Sequence, residues 1–357
     1  MYDVVIVGAG PGGSTAAKVL VEHGRNVLLI DKEKFPRDKP CGGGLTAKVL
    51  EEFPYVKKHD LIESYSYGGL VYAKNMQNKV EIKKDNPIMA TVLRKKFDAG
   101  LVQLAVNQDC TLVEGKKVTD IKILKNKVKT FVDTGECFES KAIIGADGIW
   151  SVTRKKVGLE PSQKQFAVSL FNEYPTDEQV IDQYFSTKRY GHLHLKLNGL
   201  AGYGWVFSKR KHINIGIGEM TPYQALSKPK KLKPIFQEYI RLLKKECIIP
   251  ETIQSNTIRG AALPTQPIPK TYDDRVLLCG DAAGLINPIT GEGIHYAMYS
   301  GRIAANILHM ALKKKNTSNA FLSAYEKEWK QVFGKDINLF LQATKQWEKM
   351  ILNILNC

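Results

Sequence analysis

Apolar residues at the start of the chain follow first a strand-like and then a helical spacing. Tyr2–Val7 is almost continuously apolar, which is typical of a buried strand. Over residues 14–23 the apolar positions recur at helical spacing, and Gly24 follows where a helix ordinarily ends. Residues 26–30 are apolar again. This order predicts a βαβ unit at the N-terminus.

The same patterns predict further elements along the chain. A helix over 91–106 returns to the first sheet, whose other strands are 111–113, 118–124, 128–133, 142–146 and 275–278. Strands of a second sheet are expected at 61–71 and 79–88, and residues 166–259 are rich in alternating strands, most clearly at 192–197. Helices are expected at 46–53, 233–245 and 293–313 and in the tail, 318–357.

Length and composition are those of a globular protein with two closely packed domains. The chain has 357 residues, of which 43% are hydrophobic and 25% charged, and no apolar run is long enough to cross a bilayer. The N-terminus starts directly with a strand and carries no secretion signal, so a cytoplasmic location is expected. The six scattered cysteines predict reduced thiols and neither a disulfide frame nor a metal site.

The net charge of +16 has two interpretations. It could mark a basic face for an anionic partner such as a phospholipid or a membrane surface. The other interpretation is a compositional bias, which is favoured because 42 of the 52 basic residues are lysines spread along the whole chain. No nucleic-acid recognition motif accompanies the charge, so nucleic acid is not expected as a partner.

The first motif with chemical content is Gly8-x-Gly10-x-x-Gly13, which follows the first strand and opens the first helix. These glycines, with Gly12, let a pyrophosphate approach the free N–H groups of the helix N-terminus. Asp31, followed by Lys32, ends the second strand, where a carboxylate can bind ribose hydroxyls. The motif predicts a dinucleotide site and does not distinguish FAD from NAD.

A second motif decides in favour of FAD. The apolar strand 275–278 leads into Gly280-Asp281, and Gly291-Glu292-Gly293 opens the following helix at Ile294. An aspartate at a strand end can bind a ribityl hydroxyl, and a helix N-terminus can face the flavin pyrimidine edge, where reduction places negative charge. The arrangement resembles the Gly-Asp motif of FAD-dependent enzymes of the aromatic hydroxylase superfamily.

A third motif completes that resemblance. Gly145-Ala146-Asp147-Gly148-x-x-Ser151-x-x-Arg154 resembles the Asp-Gly motif of the superfamily, which closes over the cofactor. The resemblance also implies that Arg94, on the helix that follows Thr91, reaches the FAD and that Val118 contacts it. The three motifs occur in the family order along the chain.

Two further segments resemble the geranylgeranyl reductase family, which saturates isoprenoid double bonds. Lys39-Pro40-Cys41-Gly42-Gly43-Gly44 matches a family segment that places Cys41, Gly42 and Gly43 beside the flavin ring, with Cys41 as the candidate catalytic residue. Tyr203-x-Trp205-x-Phe207 matches the aromatic motif that lines the prenyl channel. The motif's two prolines are replaced by Leu200 and Ser208, which puts the exact substrate in question.

The resemblance implies an α/β fold in which a Rossmann-like FAD-binding domain is interleaved with a mixed β-sheet substrate domain. The expected FAD-binding domain comprises residues 1–60, 90–160 and 268–315. The substrate domain comprises 61–89 and 161–267, and 316–357 form a C-terminal helical region.

The function that the resemblance implies is FAD-dependent reduction of carbon–carbon double bonds in a geranylgeranyl chain, on an isoprenoid ether lipid. Electrons would come from an external donor: NAD(P)H, another reduced carrier or a ferredoxin. Two alternatives stay open, an oxygen-using hydroxylase or halogenase of the same superfamily and a prenyl-binding escort protein without catalysis. A Cys41 that only packs beside the ring is also open, as is a core-packing role for the three aromatic residues.

The tail raises the question of membrane contact. Its apolar residues recur near helical spacing among lysines: Phe333, Ile337, Phe340, Leu341, Trp347, Ile351 and Leu355. They fit either an amphipathic helix lying on lipid or helices packed on the rest of the protein. The protein is thus expected to be cytoplasmic, with peripheral contact to a membrane as one alternative. His192 and His194 are assigned no catalytic role, and His295 lies at the helix start near the Gly-Asp motif.

Overall fold

A computed structural model of the chain describes residues 1–73, 76, 78–162, 165–220, 231–254 and 257–343. In chain order, the strands β1–β9 are Tyr2–Val7, Val27–Asp31, Gly44–Thr46, Ser64–Ser66, Gly68–Ala73, Asn78–Lys83, Met89–Thr91, Thr111–Glu114 and Val118–Ile123. The strands β10–β18 are Val128–Val132, Cys137–Gly145, Phe166–Pro175, Gly191–Leu195, Gly202–Ser208, His212–Glu219, Arg259–Pro264, Tyr272–Asp273 and Val276–Leu278. The helices α1–α9 are Pro11–Glu22, Ala47–Glu52, Tyr55–Lys58, Arg94–Val106, Val152–Lys156, Glu178–Phe185, Leu232–Lys245, Ile294–Lys313 and Asn319–Trp329.

The chain forms two compact units. The first contains Met1–Arg37, Asp98–Lys164 and Pro264–Cys357, and the second contains Asp38–Phe97 and Gln165–Leu263. The boundaries of these two units differ from the domain boundaries expected from the sequence. Residues 38–60 and 90–97 fall in the second unit, because β3 pairs with β7 in a small sheet there. The tail falls in the first unit, where Tyr325 and Trp329 are buried.

The first unit is built on a sheet with the strand order β17-β18-β11-β1-β2-β8. The neighbours from β18 to β8 run parallel, and the strands are nearly continuously apolar because both faces are covered. The βαβ opening predicted from the sequence is confirmed, as are the later strands and the long helix α8. Helices α1 and α8 approach closely, since a Cβ on Gly301 would lie 2.2 Å from the carbonyl oxygen of Gly12.

Three parallel strands of this sheet end at the same level. Val7 of β1, Gly145 of β11 and Leu278 of β18 are register partners in neighbouring strands. The segments that follow them are the Gly-rich loop, the Asp-Gly loop and the Gly-Asp loop. The fold therefore collects the three sequence motifs at one edge of one sheet.

The second unit contains a sheet with the order β16-β12-β15-β14-β13-β5-β6 and a small sheet β3-β7-β4. Helices α6 and α7 pack on one face of the larger sheet, and the shared core consists of Ile181, Phe185, Val206, Ile213, Ile215, Ile217, Phe236, Tyr239, Ile240 and Leu243. Residues directly opposite in adjacent strands share a face. Tyr203, Trp205 and Phe207 alternate with residues of that core and so lie on the face opposite the helices.

The strand expected over 61–71 is divided between the two sheets of this unit. β4 pairs with β7, whereas β5 pairs with β13 and β6. The chain turns between them, where the Ser66 hydroxyl donates to the carbonyl oxygen of Gly68 over 2.8 Å. A Cβ on Gly68 would lie 2.2 Å from the carbonyl oxygen of Ile82, so only glycine fits at the crossing. The single predicted strand was wrong because this close approach is not visible in a hydrophobic pattern.

Most described apolar residues of the tail pack against the first unit. Phe333 and Ile337 are 3% and 1% exposed and belong to its core, while Phe340 and Leu341 are half-buried. The expected positions Trp347, Ile351 and Leu355 lie outside the described residues. None of the described helices is both long enough and apolar enough to cross a bilayer.

Two histidines are buried on the helix-covered face of the second sheet. His194 shares a hydrogen bond with the Tyr239 hydroxyl, and the Tyr72 ring stacks on both histidines with centroid distances of 4.6 and 5.8 Å. Burial lowers the pKa of His192 to about 4, aided by Lys79, and the pKa of His194 to about 3, aided by His192. Both are therefore neutral at pH 7.

Their burial predicts a dependence of stability on pH. In the unfolded chain a histidine has a pKa of about 6.5, so the unfolded state binds more protons between about pH 6.5 and 4. The free energy of unfolding should thus fall as the pH decreases through that window. Between pH 7 and about pH 4 the free energy of unfolding of the His192→Phe variant should fall by on the order of 2–3 kcal/mol less than that of the parent protein. Urea titrations at the two pH values measure this difference. Equal losses in the variant and the parent protein would contradict this account.

Candidate functional site

The Gly-rich loop of the first unit leaves β1 and enters α1 under tight steric limits. Gly8 has φ +96°, and a Cβ there would lie 2.4 Å from the carbonyl oxygen of Ala146. A Cβ on Gly13 would lie 1.9 Å from the carbonyl oxygen of Gly8. These two glycines let the first helix turn back against the Asp-Gly loop.

Gly10 differs from them because it faces open space. The nearest atom to a Cβ placed on Gly10 is Nη2 of Arg37, at 3.9 Å. Gly10 is the N-cap of α1 and provides no side-chain cap, so N–H groups of the first turn are left without helical partners. The space before this helix is therefore suited to a phosphate group.

Arg37 borders the same space and was missed by the sequence analysis. Its Nη1 pairs with Asp98 Oδ2 over 2.8 Å, and its guanidinium lies 4.9 Å from the centroid of the Phe35 ring. Asp98 is fully buried, so the arginine is held in place. The available sequence signal was an arginine in the loop after Asp31, the acid that is expected to bind ribose.

Asp31 is 7% exposed at the end of β2. Its Oδ2 accepts from the Ala9 N–H over 2.7 Å and its Oδ1 from the Glu33 N–H over 2.9 Å. Each oxygen keeps a second lone pair for a ribose hydroxyl. Lys32 is exposed directly after it.

The Asp147 carboxylate accepts hydrogen bonds from residues of its own turn. Its Oδ1 accepts from the Ser151 hydroxyl, and its Oδ2 accepts from the backbone N–H and the hydroxyl of Thr153. Burial raises the pKa of this carboxyl, and those hydrogen bonds act in the opposite direction. Asp147 therefore shapes the loop that lies against Gly8.

Arg154 connects the Asp-Gly loop to the Gly-Asp loop. Its guanidinium donates to the carbonyl oxygens of Ile149 over 2.8 Å and Ala282 over 3.1 Å, and it pairs with Glu160 over 2.9 Å. The side chain is 5% exposed. The sequence included Arg154 in a motif without giving it this bridging role.

Asp281 lies beside the start of α8. Its Oδ1 is 3.5 Å from the position that a Cβ of Gly293 would occupy. Gly293 is the N-cap of α8 and supplies no side-chain cap before Ile294. The first unit thus presents a second uncapped helix start next to a carboxylate. His295 packs against Tyr296 and Tyr299 with ring centroids 5.5 and 5.7 Å away.

Two other residues of the first unit, Cys279 and Val118, are parts of its core. Cys279 is 1% exposed, and burial, with Asp147 and Asp281 nearby, raises the pKa of its thiol to about 12. Val118 is 4% exposed on β9, opposite Val132. Contact of Val118 with a cofactor stays a prediction.

In the second unit the three aromatic side chains of β14 form a continuous row. The centroids of Tyr203 and Trp205 are 5.9 Å apart, and those of Trp205 and Phe207 are 6.5 Å apart. Gly216 lies directly opposite Trp205, and a Cβ there would come within 2.0 Å of the indole. The Trp205 indole fits there because Gly216 has no side chain.

The Cys41 segment lies directly over this row. A Cβ on Gly42 would be 3.2 Å from Trp205 Nε1 and 3.3 Å from the Phe207 ring. Cys41 is half-buried, and its sulfur accepts from the Gly43 N–H over 3.3 Å. Burial and the nearby Cys41 raise the pKa of the Tyr203 hydroxyl. The two segments that carry the family resemblance in this unit are therefore in contact.

A buried polar network, which the sequence analysis missed, joins these two segments. Asn214 Oδ1 accepts from Trp205 Nε1 over 2.7 Å, and Asn214 Nδ2 donates to the Cys41 carbonyl oxygen over 3.2 Å. The amide also donates to Glu173 Oε2 over 3.1 Å, and the same oxygen pairs with Lys209 over 2.6 Å. The sequence signal was the alternation of isoleucines with Asn214, Gly216 and Gly218 along β15.

Lys209 is 1% exposed and lies under the glycines of the Cys41 segment. Gly43 has φ +73°, and a Cβ there would lie 2.9 Å from Lys209 Nζ. Arg94 is also buried in this unit, at the first residue of α4, and its contact with a cofactor stays a prediction.

Comparison with known proteins assigns the family. Residues 1–337 match the FAD binding domain family. The chain is 30% identical to a digeranylgeranylglycerophospholipid reductase of Methanocaldococcus jannaschii, over 98% of this chain and 88% of that protein. A geranylgeranyl bacteriochlorophyll reductase-like protein of Thermoplasma acidophilum superposes with a TM-score of 0.85 at 25% identity, covering 96% of this chain and 87% of the other.

A more distant match shows the breadth of the fold. A mutant of the halogenase PltM in complex with FAD has a TM-score of 0.73 at 18% identity, covering 92% of this chain and 73% of that one. This likeness concerns the fold alone. The length and identity of the reductase matches, together with the family match, establish that the chain is a member of the FAD binding domain family, in its geranylgeranyl reductase branch, with FAD as its cofactor.

Proposed function

We propose that this protein is an FAD-dependent reductase that saturates carbon–carbon double bonds of a geranylgeranyl chain, carried on an isoprenoid ether lipid. The observation that carries the proposal is the contact between the Cys41 segment and the aromatic row of Tyr203, Trp205 and Phe207. The reductase relative supports the substrate class, because it matches over 98% of this chain.

The first unit has the groups that would hold FAD. The open N-terminus of α1 and the guanidinium of Arg37 would bind the pyrophosphate. The remaining lone pairs of Asp31 would accept from ribose hydroxyls. Asp281 would bind the ribityl chain, and the N-terminus of α8 at Gly293 and Ile294 would face the pyrimidine edge.

When bound and reduced, the cofactor would supply a hydride to one alkene carbon while a proton from solvent reaches the other, and the chain's own residues would bind and orient the alkene. Tyr203, Trp205 and Phe207 would form one wall of a water-poor channel for the prenyl chain. Their π-faces would also stabilise positive charge that develops on an alkene carbon. The resemblance to the geranylgeranyl reductase family supports a role for Cys41 in positioning the alkene.

The electron donor is proposed to be external. The sequence has a single Gly-x-Gly-x-x-Gly fingerprint, which the FAD itself occupies in this account. Transient NAD(P)H, another reduced carrier or a ferredoxin would then reduce the cofactor. A prenylated lipid is the second partner.

We also propose peripheral contact with a membrane from the cytoplasmic side, because a prenylated lipid resides in a bilayer. The apolar tail is a poor candidate for that contact over its described part, since Phe333 and Ile337 are committed to the core. The exposed strand β6 of the second unit, with its lysines, is a better candidate for contact with a membrane.

The principal alternative is an oxygen-using hydroxylase or halogenase, in which the reduced flavin would react with oxygen. An escort protein is less compatible with a buried Asp31 and two uncapped helix starts, which serve a cofactor better than a prenyl chain. The decisive difference between reductase and oxygenase is the need for oxygen.

The test of the proposed function is an anaerobic reduction. Dithionite-reduced holoenzyme mixed with a geranylgeranylated lipid should reoxidise, followed by flavin absorbance, while the lipid gains two hydrogen atoms for each turnover, followed by mass spectrometry. Reoxidation only after oxygen is admitted, with a hydroxylated or halogenated product, would make the protein an oxygenase. Binding of the lipid without any flavin reoxidation would make it an escort.

A second prediction concerns the positioning role of Asn214. The Asn214→Leu variant removes the bonds to Trp205 and Cys41 and should lower kcat about ten- to a hundred-fold, because small displacements of reacting groups are costly. The affinity for FAD should be unchanged, and the shape of the Trp fluorescence spectrum should change. Leaving buried partners unpaired should also cost about 1–3 kcal/mol of stability.

The matched control is Asn172→Leu, a buried asparagine on the opposite face of the same sheet. It should lose comparable stability with little effect on kcat. An equal loss of kcat in both variants would assign Asn214 a general structural role.

A further inference from the structure

The edge strand β6 of the second unit exposes apolar side chains to solvent. All six of its residues are exposed, including Val80 at 62% and Ile82 at 42%. They alternate with the charged residues Lys79, Glu81 and Lys83. An exposed apolar face on an edge strand promotes aggregation, so its presence calls for a physical explanation.

Val80 is the outer end of an apolar line that crosses four strands. It is the register partner of Val71 on β5, Val71 is the partner of Leu193 on β13, and Leu193 is the partner of Trp205 on β14. Register partners share a face of the sheet, so these side chains lie on the face opposite the helices. Three strand spacings of about 4.8 Å separate β6 from β14, or roughly 14 Å.

Ile82 begins a second line beside the first. Its partners in turn are Gly69 on β5, then Gly191 on β13. The line ends at Phe207 on β14, because a Cβ on Gly191 would lie 3.5 Å from Cδ1 of the Phe207 ring. Gly69 and Gly191 carry no side chain between Ile82 and Phe207, and the Met89 methyl lies over this line, 3.2 Å from the Cβ position of Gly191. An extended apolar chain would therefore lie along the first line, on the Val71 and Leu193 side chains, with Met89 beside it.

The charged residues around β6 favour binding to an anionic surface. Lys79, Lys83 and Lys84 are exposed on or beside the strand, and the backbone links Lys84 through Tyr67 to the exposed Lys188. These four lysines outnumber the two acidic side chains of the strand and its end, Glu81 and Asp85. The excess of positive charge attracts anionic headgroups.

We propose that the β6 edge docks on the surface of an anionic phospholipid bilayer and that the two apolar lines lead a prenyl chain from there to Trp205. The second half of this inference rests on the proposed function; the docking itself does not. A second copy of the chain is a poorer occupant of the edge, because lysines on an edge strand oppose strand pairing and would repel each other.

The test is sedimentation of the full holoenzyme with vesicles. Val80→Thr/Ile82→Thr keeps β-branched residues in the strand while removing apolar surface. This double variant should bind vesicles of equal parts phosphatidylglycerol and phosphatidylcholine at least about ten-fold more weakly than the parent protein does. The parent protein should bind pure phosphatidylcholine vesicles less well than the mixed ones, because the headgroup charge is absent.

The matched control removes two exposed apolar residues of the C-terminal helical region, Val332 at 46% and Leu339 at 63% exposure. Val332→Gln/Leu339→Gln should bind the mixed vesicles as the parent does. Loss of binding in this control with retention in the β6 variant would overturn the proposal in favour of the tail. A fall in solution mass on β6 substitution, with vesicle binding unchanged, would overturn it in favour of a second copy.

Activity separates this inference from the proposed function. Relative to the parent, the β6 variant should be about ten-fold slower with a geranylgeranylated lipid in vesicles than with the same lipid dispersed in detergent. Vesicle binding that depends on Val80 and Ile82 in a protein that reduces no prenyl lipid would leave the docking intact and refute the reductase. Equal vesicle binding by the parent and the β6 variant would refute the docking, whatever the activity.

Discussion

Backbone segments meet so closely at the carboxyl end of the first sheet that side chains have no room there. Val7, Gly145 and Leu278 end their strands in register, and the chain leaves each strand against its neighbour. A Cβ on Gly8 would lie 2.4 Å from the carbonyl oxygen of Ala146, and a Cβ on Gly145 would lie 2.6 Å from Cδ2 of the Leu278 side chain. Parallel strands that end together leave a crevice beyond their carboxyl ends, where ligands of such folds bind. The proposed FAD site depends on this crowding.

The crowding also explains which charges gather at the site. Helices that start at Gly10 and Gly293 cannot cap themselves with side chains, so their N–H groups remain available. Arg154 links the two loops that lack side-chain bulk, and Arg37 is held beside the first helix by Asp98. The cofactor would thus complete hydrogen bonds that the protein leaves open. The second unit follows a similar logic, since Gly216 and Asn214 together fix one orientation of Trp205.

The sequence was sufficient for the fold and the cofactor because their signals are local. The glycines at 8, 10 and 13, the acid at 31 and the Gly-Asp pair at 280 and 281 are each short patterns with a direct steric or charge meaning. The network of Asn214, Glu173 and Lys209 joins residues far apart in sequence, so no spacing rule could find it. The division of 61–71 between two sheets depends on a contact with Ile82, and the burial of Phe333 depends on α8 and α9. Such features arise from tertiary packing alone.

The proposed activity of this chain is the saturation of prenyl double bonds with FAD. Its most direct test is the lipid composition of a bacterial host that makes geranylgeranylated ether lipids and expresses this chain with a suitable electron donor. High-resolution mass spectrometry should show those lipids heavier by two hydrogen atoms for each saturated bond, and Asp281→Ala should abolish the shift by removing the ribityl anchor. Lipids of unchanged mass in cells that contain the folded, FAD-loaded protein and its donor would contradict the account.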